Sequence, residues 1–110
     1  MTAAFKESEH KAKIVEVAQA ILDGKVELLK GCRVLVGHIH GAGIDISKDQ
    51  DALKLIGIES ETDAHPVGET RSLWNRDALA ESDREMDAYW SRKRSVLMSA
   101  CAGLVRRYSR

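Results

Sequence analysis

Two long stretches of the chain repeat apolar residues every three to four positions, and a less regular stretch separates them. At about 100° per residue, Ile14, Val17, Ala18, Ile21, Leu28, Cys32, Leu35, Val36 and Ile39 fall on one face of a helical wheel drawn over residues 8–40. Glu16, Asp23, Glu27 and Lys30 fall on the other. This pattern predicts an amphipathic helix. Asp23-Gly24 is turn chemistry, yet the stripe keeps its phase across it. One helix of about 30 residues with a weak point at Gly24 is therefore expected in preference to two, since a mid-helix glycine costs only about 1 kcal/mol relative to alanine.

The second stretch covers residues 75–108, with Leu79, Met86, Trp90, Leu97, Ala100, Cys101, Leu104 and Tyr108 on one face. Asn75 can cap its start, and Ser82-Asp83-Arg84-Glu85 also has capping-box spacing. Because Leu79 is in phase with Met86, the start is placed near Asn75. Early acids (Asp77, Glu81, Asp83, Glu85) and late bases (Arg106, Arg107, Arg110) follow the order a helix dipole favours. Between the long helices, Ser47-Lys48-Asp49-Gln50 reads as the cap of a short helix over residues 48–56 that Gly57 can end. Residues 57–74 then form an irregular loop. The β-branched run Arg33–His40 is the only segment that competes with an all-α reading.

Length sets the assembly. A helix of about 30 residues is roughly 45 Å long, whereas a compact chain of this size has a radius of gyration near 13 Å. The 110 residues thus predict a single, elongated helical domain. Two such helices cover only a seam of each other, so a homodimer that completes a helical bundle is expected. Lys25 and Lys93 fall within the apolar stripes, where their stems can lie on the core while the amines reach solvent. If the long helices run antiparallel, Cys32 lies about 27 Å from Cys101; parallel helices would bring the two nearly level.

Charge changes this picture locally. Lys+Arg and Asp+Glu both number 17, so no overall field draws the chain to nucleic acid or an anionic membrane. By segment, residues 1–40, 41–70 and 71–110 carry net charges of +1, −5 and +4. The basic clusters Arg92-Lys93-Arg94 and Arg106-Arg107 scatter around their helix, so nucleic acid is not an expected partner. No apolar run reaches the roughly 18 residues of a membrane span, the start is too charged for a secretory signal, and a cytoplasmic location is expected. Cys32 and Cys101 lack metal-ligand spacing.

Site chemistry is sparse. His38 and His40 would point apart on a helix and could share a metal only on a strand. Asp45, Ser47, Asp49 and Asp51 imitate a calcium loop, but Gln50 replaces its glycine and Ile56 its terminal glutamate. There is no nucleophile elbow, and His40-Gly41-Ala42-Gly43 lacks the lysine of a phosphate loop. No catalytic residue, metal or cofactor is implied.

Candidate binding residues concentrate in the loop: Glu59, Glu61, Asp63, His65, Arg71 and Trp74. If the chain is extended there, Glu59, Glu61 and Asp63 project to one side and form an acidic edge for a basic protein partner. Trp74 would anchor the loop's end, with Thr62 and Ser60 capping turns and His65 beside the indole. The alternative is a metal- or small-molecule-dependent enzyme that uses His65 and the acids of residues 59–69.

The string I-x-S-E-T-D-x-x-P-x-G-x-x-R-x-x-W, carried by Ile58, Ser60, Glu61, Thr62, Asp63, Pro66, Gly68, Arg71 and Trp74, resembles a signature of small helical bacterial proteins without assigned function. With Ile21–Arg33 and the helix beginning at Asn75, the resemblance spans about two thirds of the chain. Such proteins accompany mobile gene cassettes or toxin–immunity loci. The resemblance implies a shared helical fold in which this loop is a signature of folding or of binding, and no known enzyme family. For the chain as a whole, macromolecular binding is expected, with toxin neutralisation or regulation as its concrete forms.

Overall fold

A computed structural model describes residues 3–109. Four α-helices, α1 (Ala3–Leu22), α2 (Leu28–Gly41), α3 (Gln50–Glu61) and α4 (Arg76–Tyr108), carry the fold, with 3₁₀ turns at Ile46–Lys48 and Gly68–Leu73. The described residues contain no strand, and Arg33–His40 is helical. The all-α expectation holds.

The first long helix is two helices. Gly24 adopts a left-handed φ of 72°; the Lys25 N–H donates to Ala20 O at 2.9 Å and the Gly24 N–H to Ile21 O at 3.2 Å. This pair of bonds is a Schellman ending, which satisfies the last carbonyls of α1 and reverses the chain. The apolar stripe keeps its phase because both helices turn it toward one core, and phase carries no information about direction. Gly31 lets them close: a Cβ there would stand 2.8 Å from Ile21 Cγ1 and 3.0 Å from Val26 Cγ1. Lys25, expected within a stripe, is exposed in the turn, whereas Lys93 is half-buried.

The short helix is longer than expected. Asp49, not Ser47, caps it, accepting from the Ala52 N–H at 3.0 Å, and Gly57 does not stop it. Continuing the helix buries Ile58, and burial of an isoleucine, about 1.5–3 kcal/mol, outweighs the cost of one helical glycine. Asn75 caps α4 as expected, through Ala78 N–H at 2.7 Å.

α1 packs on α2 and α4, and α3 on α2 and α4. His10 of α1 meets His38 of α2, while Asp49 at the start of α3 meets Arg107 and Tyr108 at the end of α4. Neighbours therefore run antiparallel around a ring, an up-down four-helix arrangement. One core fills it, with Ile14, Ile21, Leu35, Ile39, Leu55, Leu97 and Leu104 fully buried. Cys32 and Cys101 are free and share this core. Burial pushes both thiols up to about 12, and Cys101 adds to the effect on Cys32. The 27 Å separation does not arise, because the turn at Gly24 sets α2 parallel to α4.

The radius of gyration is 14.6 Å and the extents are 45 × 31 × 26 Å, so the molecule is a compact globule with one longer axis rather than the elongated pair of long helices expected. The length belongs to α4, whose 33 residues outrun the 20 of α1. The dimer expectation loses its premise here, since each helix already has two neighbours within the chain. No described helix is long and apolar enough to cross a membrane.

Candidate functional site

The overhanging first half of α4 buries only Ser82 and Met86, and residues 62–75 lie along it. This segment is tied at three places. Thr62, buried, donates its hydroxyl to Ile58 O at 2.8 Å and closes α3. Arg33 of α2 reaches over to donate to Thr62 O at 2.7 Å and to His65 O, so a guanidinium replaces the backbone partners that an irregular segment lacks. Farther on, Arg71 grips Asp83 with two 3.0 Å bonds. The paired guanidinium holds the Asp83 carboxyl below its usual range; both groups are solvent-exposed, so the geometry matters more than the energy.

Between these ties stands His65. Its Nδ1 lies 2.7 Å from Ser82 Oγ and its Nε2 lies 3.7 Å from Glu85 Oε1. Ser82 and Glu85 are three apart on α4, hence on one face. Their spacing, which also suits a capping box, instead builds a receptor for the His65 ring. The composition is that of a hydrolytic triad, but the seat is wrong for one: Ser82 lies inside a helix whose amides are bonded along the helix, with no pair of N–H groups aimed at a developing oxyanion. The arrangement is a latch that fastens the segment to α4.

The expected acidic edge is not formed. Glu59 and Glu61 lie in the last turn of α3 rather than on extended chain, and residues two apart on a helix face different ways. Glu59 is half-buried, near enough to the Cys32 thiol to help raise it. Glu61 accepts the Tyr89 hydroxyl at 2.6 Å, and together with burial it pushes the phenol above its usual range. Asp63 is exposed in the following turn, and Ser60, expected to cap, is exposed on α3. Trp74 is covered for the most part, lining one cleft with His65, Ala78 and Glu81 while 39% exposed, whereas its neighbour Leu73 is 83% exposed.

What lies together instead is the acidic stretch of the chain, the segment and the first half of α4, with Lys30 and Arg33 of α2 beside it. Residues 57–87 hold nine acidic and three basic side chains, a net charge of −6, whereas residues 88–110 hold six bases and no acid. Two clefts open here, with Ser82 between them. One, of about 300 Å³, lies among His65, Trp74, Ala78, Glu81 and Glu85. The other, of about 560 Å³, is formed by the start of α2 (Glu27, Leu28, Leu29, Lys30), the segment residues Pro66, Val67 and Arg71, and Asp83, Met86, Asp87 and Trp90 of α4. Nothing in the sequence announced Arg33, Glu27, Asp87 or Trp90 as site residues, since the fold alone brings them together.

Among the described residues no group of three or more His, Cys, Asp or Glu side chains could hold a metal. His38 pairs with His10, not His40: their Nδ1 atoms are 2.9 Å apart and the ring centroids 5.2 Å. The difference is about one ring width, so the two nitrogens meet head-on at hydrogen-bond distance. Burial, then the neighbouring His10 and Lys13, hold His38 below its ordinary pKa.

Comparison with protein-family models, with curated proteins and with solved structures gives no match. The site is accordingly read from its own geometry.

Proposed function

We propose that the protein acts by binding a basic macromolecular partner, and that the acidic stretch of residues 57–87 is its docking surface. Supporting this reading, the segment is fastened by Arg33, His65 and Arg71, yet it leaves Leu73 in solvent and Trp74 partly exposed, within a stretch of the chain whose net charge is −6. Apolar side chains held outward at an ordering cost already met by the fold suit an interface, and the surrounding charge steers a cationic partner toward them. Neutralisation of a basic toxin domain is the most concrete form of such a role; regulation of a basic protein is the other. Among the ionisable groups this places Asp63 and the acids of α4 foremost, with Glu61 constrained by Tyr89.

Capture from a host lysate, with native protein beside a Leu73→Ser/Trp74→Ser variant, tests the reading. A basic protein retained by the native form, released by salt and absent from the variant supports it. Equal retention by both forms, or none by either, counts against it. Sedimentation of the protein alone decides whether a second copy of the chain is itself the partner.

A further inference from the structure

The larger cleft has a chemistry that narrows the partner further. Pro66 and Met86 are buried in its floor, and Leu28 and Trp90 stand half-buried in its walls. The rim carries Glu27, Asp83 and Asp87 against Lys30 and Arg71. Arg71 is occupied by both oxygens of Asp83, and Glu27 is close enough to act on the same guanidinium. Glu27 and Asp87 themselves make no ion pair among the described residues. Lys30 likewise makes no ion pair among them, so an anion finds one unengaged cation at the rim, whereas a cation meets two unengaged carboxylates, Glu27 and Asp87, with apolar surface beneath them.

Long cationic side chains have that double character, an apolar stem below a charged head. Arginine fits better than lysine, because its guanidinium is planar, weakly hydrated and suited both to carboxylates and to the neighbourhood of an indole. The volume of about 560 Å³ lies within the range of sites that enclose a ligand. It leaves room for the residues flanking such a side chain. We propose that this cleft receives an arginine side chain of the basic partner, its stem along Leu28, Met86 and Trp90 and its guanidinium against Asp87 and Glu27. The inference rests on the acidic stretch being a docking surface and assigns that surface its anchoring pocket.

The test is a titration of ¹⁵N-labelled protein, followed by two-dimensional NMR, with a blocked Gly-Leu-Arg-Leu-Gly peptide and with versions carrying citrulline or glutamate in place of arginine. Citrulline keeps the shape and removes the charge. The arginine peptide is expected to move the Trp90 indole N–H and the amides of Leu28 and Val67 saturably, even at millimolar affinity. The citrulline peptide should bind about tenfold more weakly, and Asp87→Asn, an exposed change that leaves the fold intact, should weaken the arginine peptide by about fivefold or more. Cleft shifts as strong with citrulline or glutamate overturn the assignment of a cation. Shifts confined to residues 57–64 and 76–81 overturn the cleft while leaving the acidic stretch as a docking surface. If neither the peptide nor poly-arginine moves any amide of residues 57–87, the docking reading fails with it.

Discussion

Replacing Gly24 by alanine separates two architectures by the sign of its effect. In one continuous helix over residues 8–40, the change would stabilise the protein by about 1 kcal/mol through helix propensity. In the observed turn, Gly24 sits at φ 72° with no atom within 4 Å of where a Cβ would stand, so packing contributes nothing and only the backbone responds. A left-handed L-residue costs about 1–2 kcal/mol, and stiffening the unfolded chain adds no net gain where the native φ is positive. The expected outcome is a loss of about 1–2 kcal/mol, a fall of roughly 0.5–1 M in the urea midpoint for a slope near 2 kcal/mol/M. Gly24→Asn, whose side chain tolerates this conformation, should recover part of the loss. Equilibrium urea unfolding of the three proteins decides the matter. A Gly24→Ala protein more stable than the parent, with Gly24→Asn between the two as helix propensity orders them, would refute the reversal at Gly24 and with it the four-helix ring.

Three further outcomes follow from the same geometry. Ser82→Ala deprives the His65 ring of its 2.7 Å partner and should cost about 0.5–1.5 kcal/mol, with faster proteolysis confined to residues 62–75; global loss of protease resistance would mean that His65 is not a local latch. Because the folded pKa of His38 lies below its ordinary 6.5, the unfolded chain binds the proton more readily, so stability should fall as pH drops through about 6.5 and below; denaturation across pH 5–8 should show this slope in the parent and a shallower one in His38→Gln. Cys32 and Cys101, buried and pushed up to about 12, should react with iodoacetamide only as fast as the protein unfolds, which mass spectrometry against urea concentration can measure.

The parts of the fold legible in the sequence are those written in adjacent residues. Asn75 and the phase from Leu79 to Leu104 located α4 because capping and periodicity act within one or two turns. The same periodicity misled at Gly24: a stripe records which face is apolar and not which way the axis runs. Gly57 looked like a stop because its neighbour's fate, the burial of Ile58 against other helices, is decided by tertiary contact. Residues 62–75 are irregular as the sequence suggests, although residues 57–61 belong to α3, and His65 and Arg71 organise that segment. Their partners Ser82, Glu85 and Asp83 carry only a capping-box spacing in the sequence, and nothing adjacent to them points to a histidine or an arginine 12 to 20 positions away. The cleft that joins Leu28, Pro66 and Trp90 has no linear signal, since those residues meet only after α1 and α2 fold back on each other.

The overhang of α4 has a consequence for how this protein can change over generations. Leu97, Ala100, Cys101 and Leu104, on its second half, lie in the core, while the first half contributes only Ser82 and Met86 to the buried residues of the helix. Exposed substitutions between Arg76 and Asp87 therefore fall mostly within the small stability range of surface changes. One continuous helix thus joins a part that tolerates little alteration to a part that tolerates much, and its rigidity keeps the two in register. The exposed positions of the first three turns of α4 can be rewritten while the fold stays as it is.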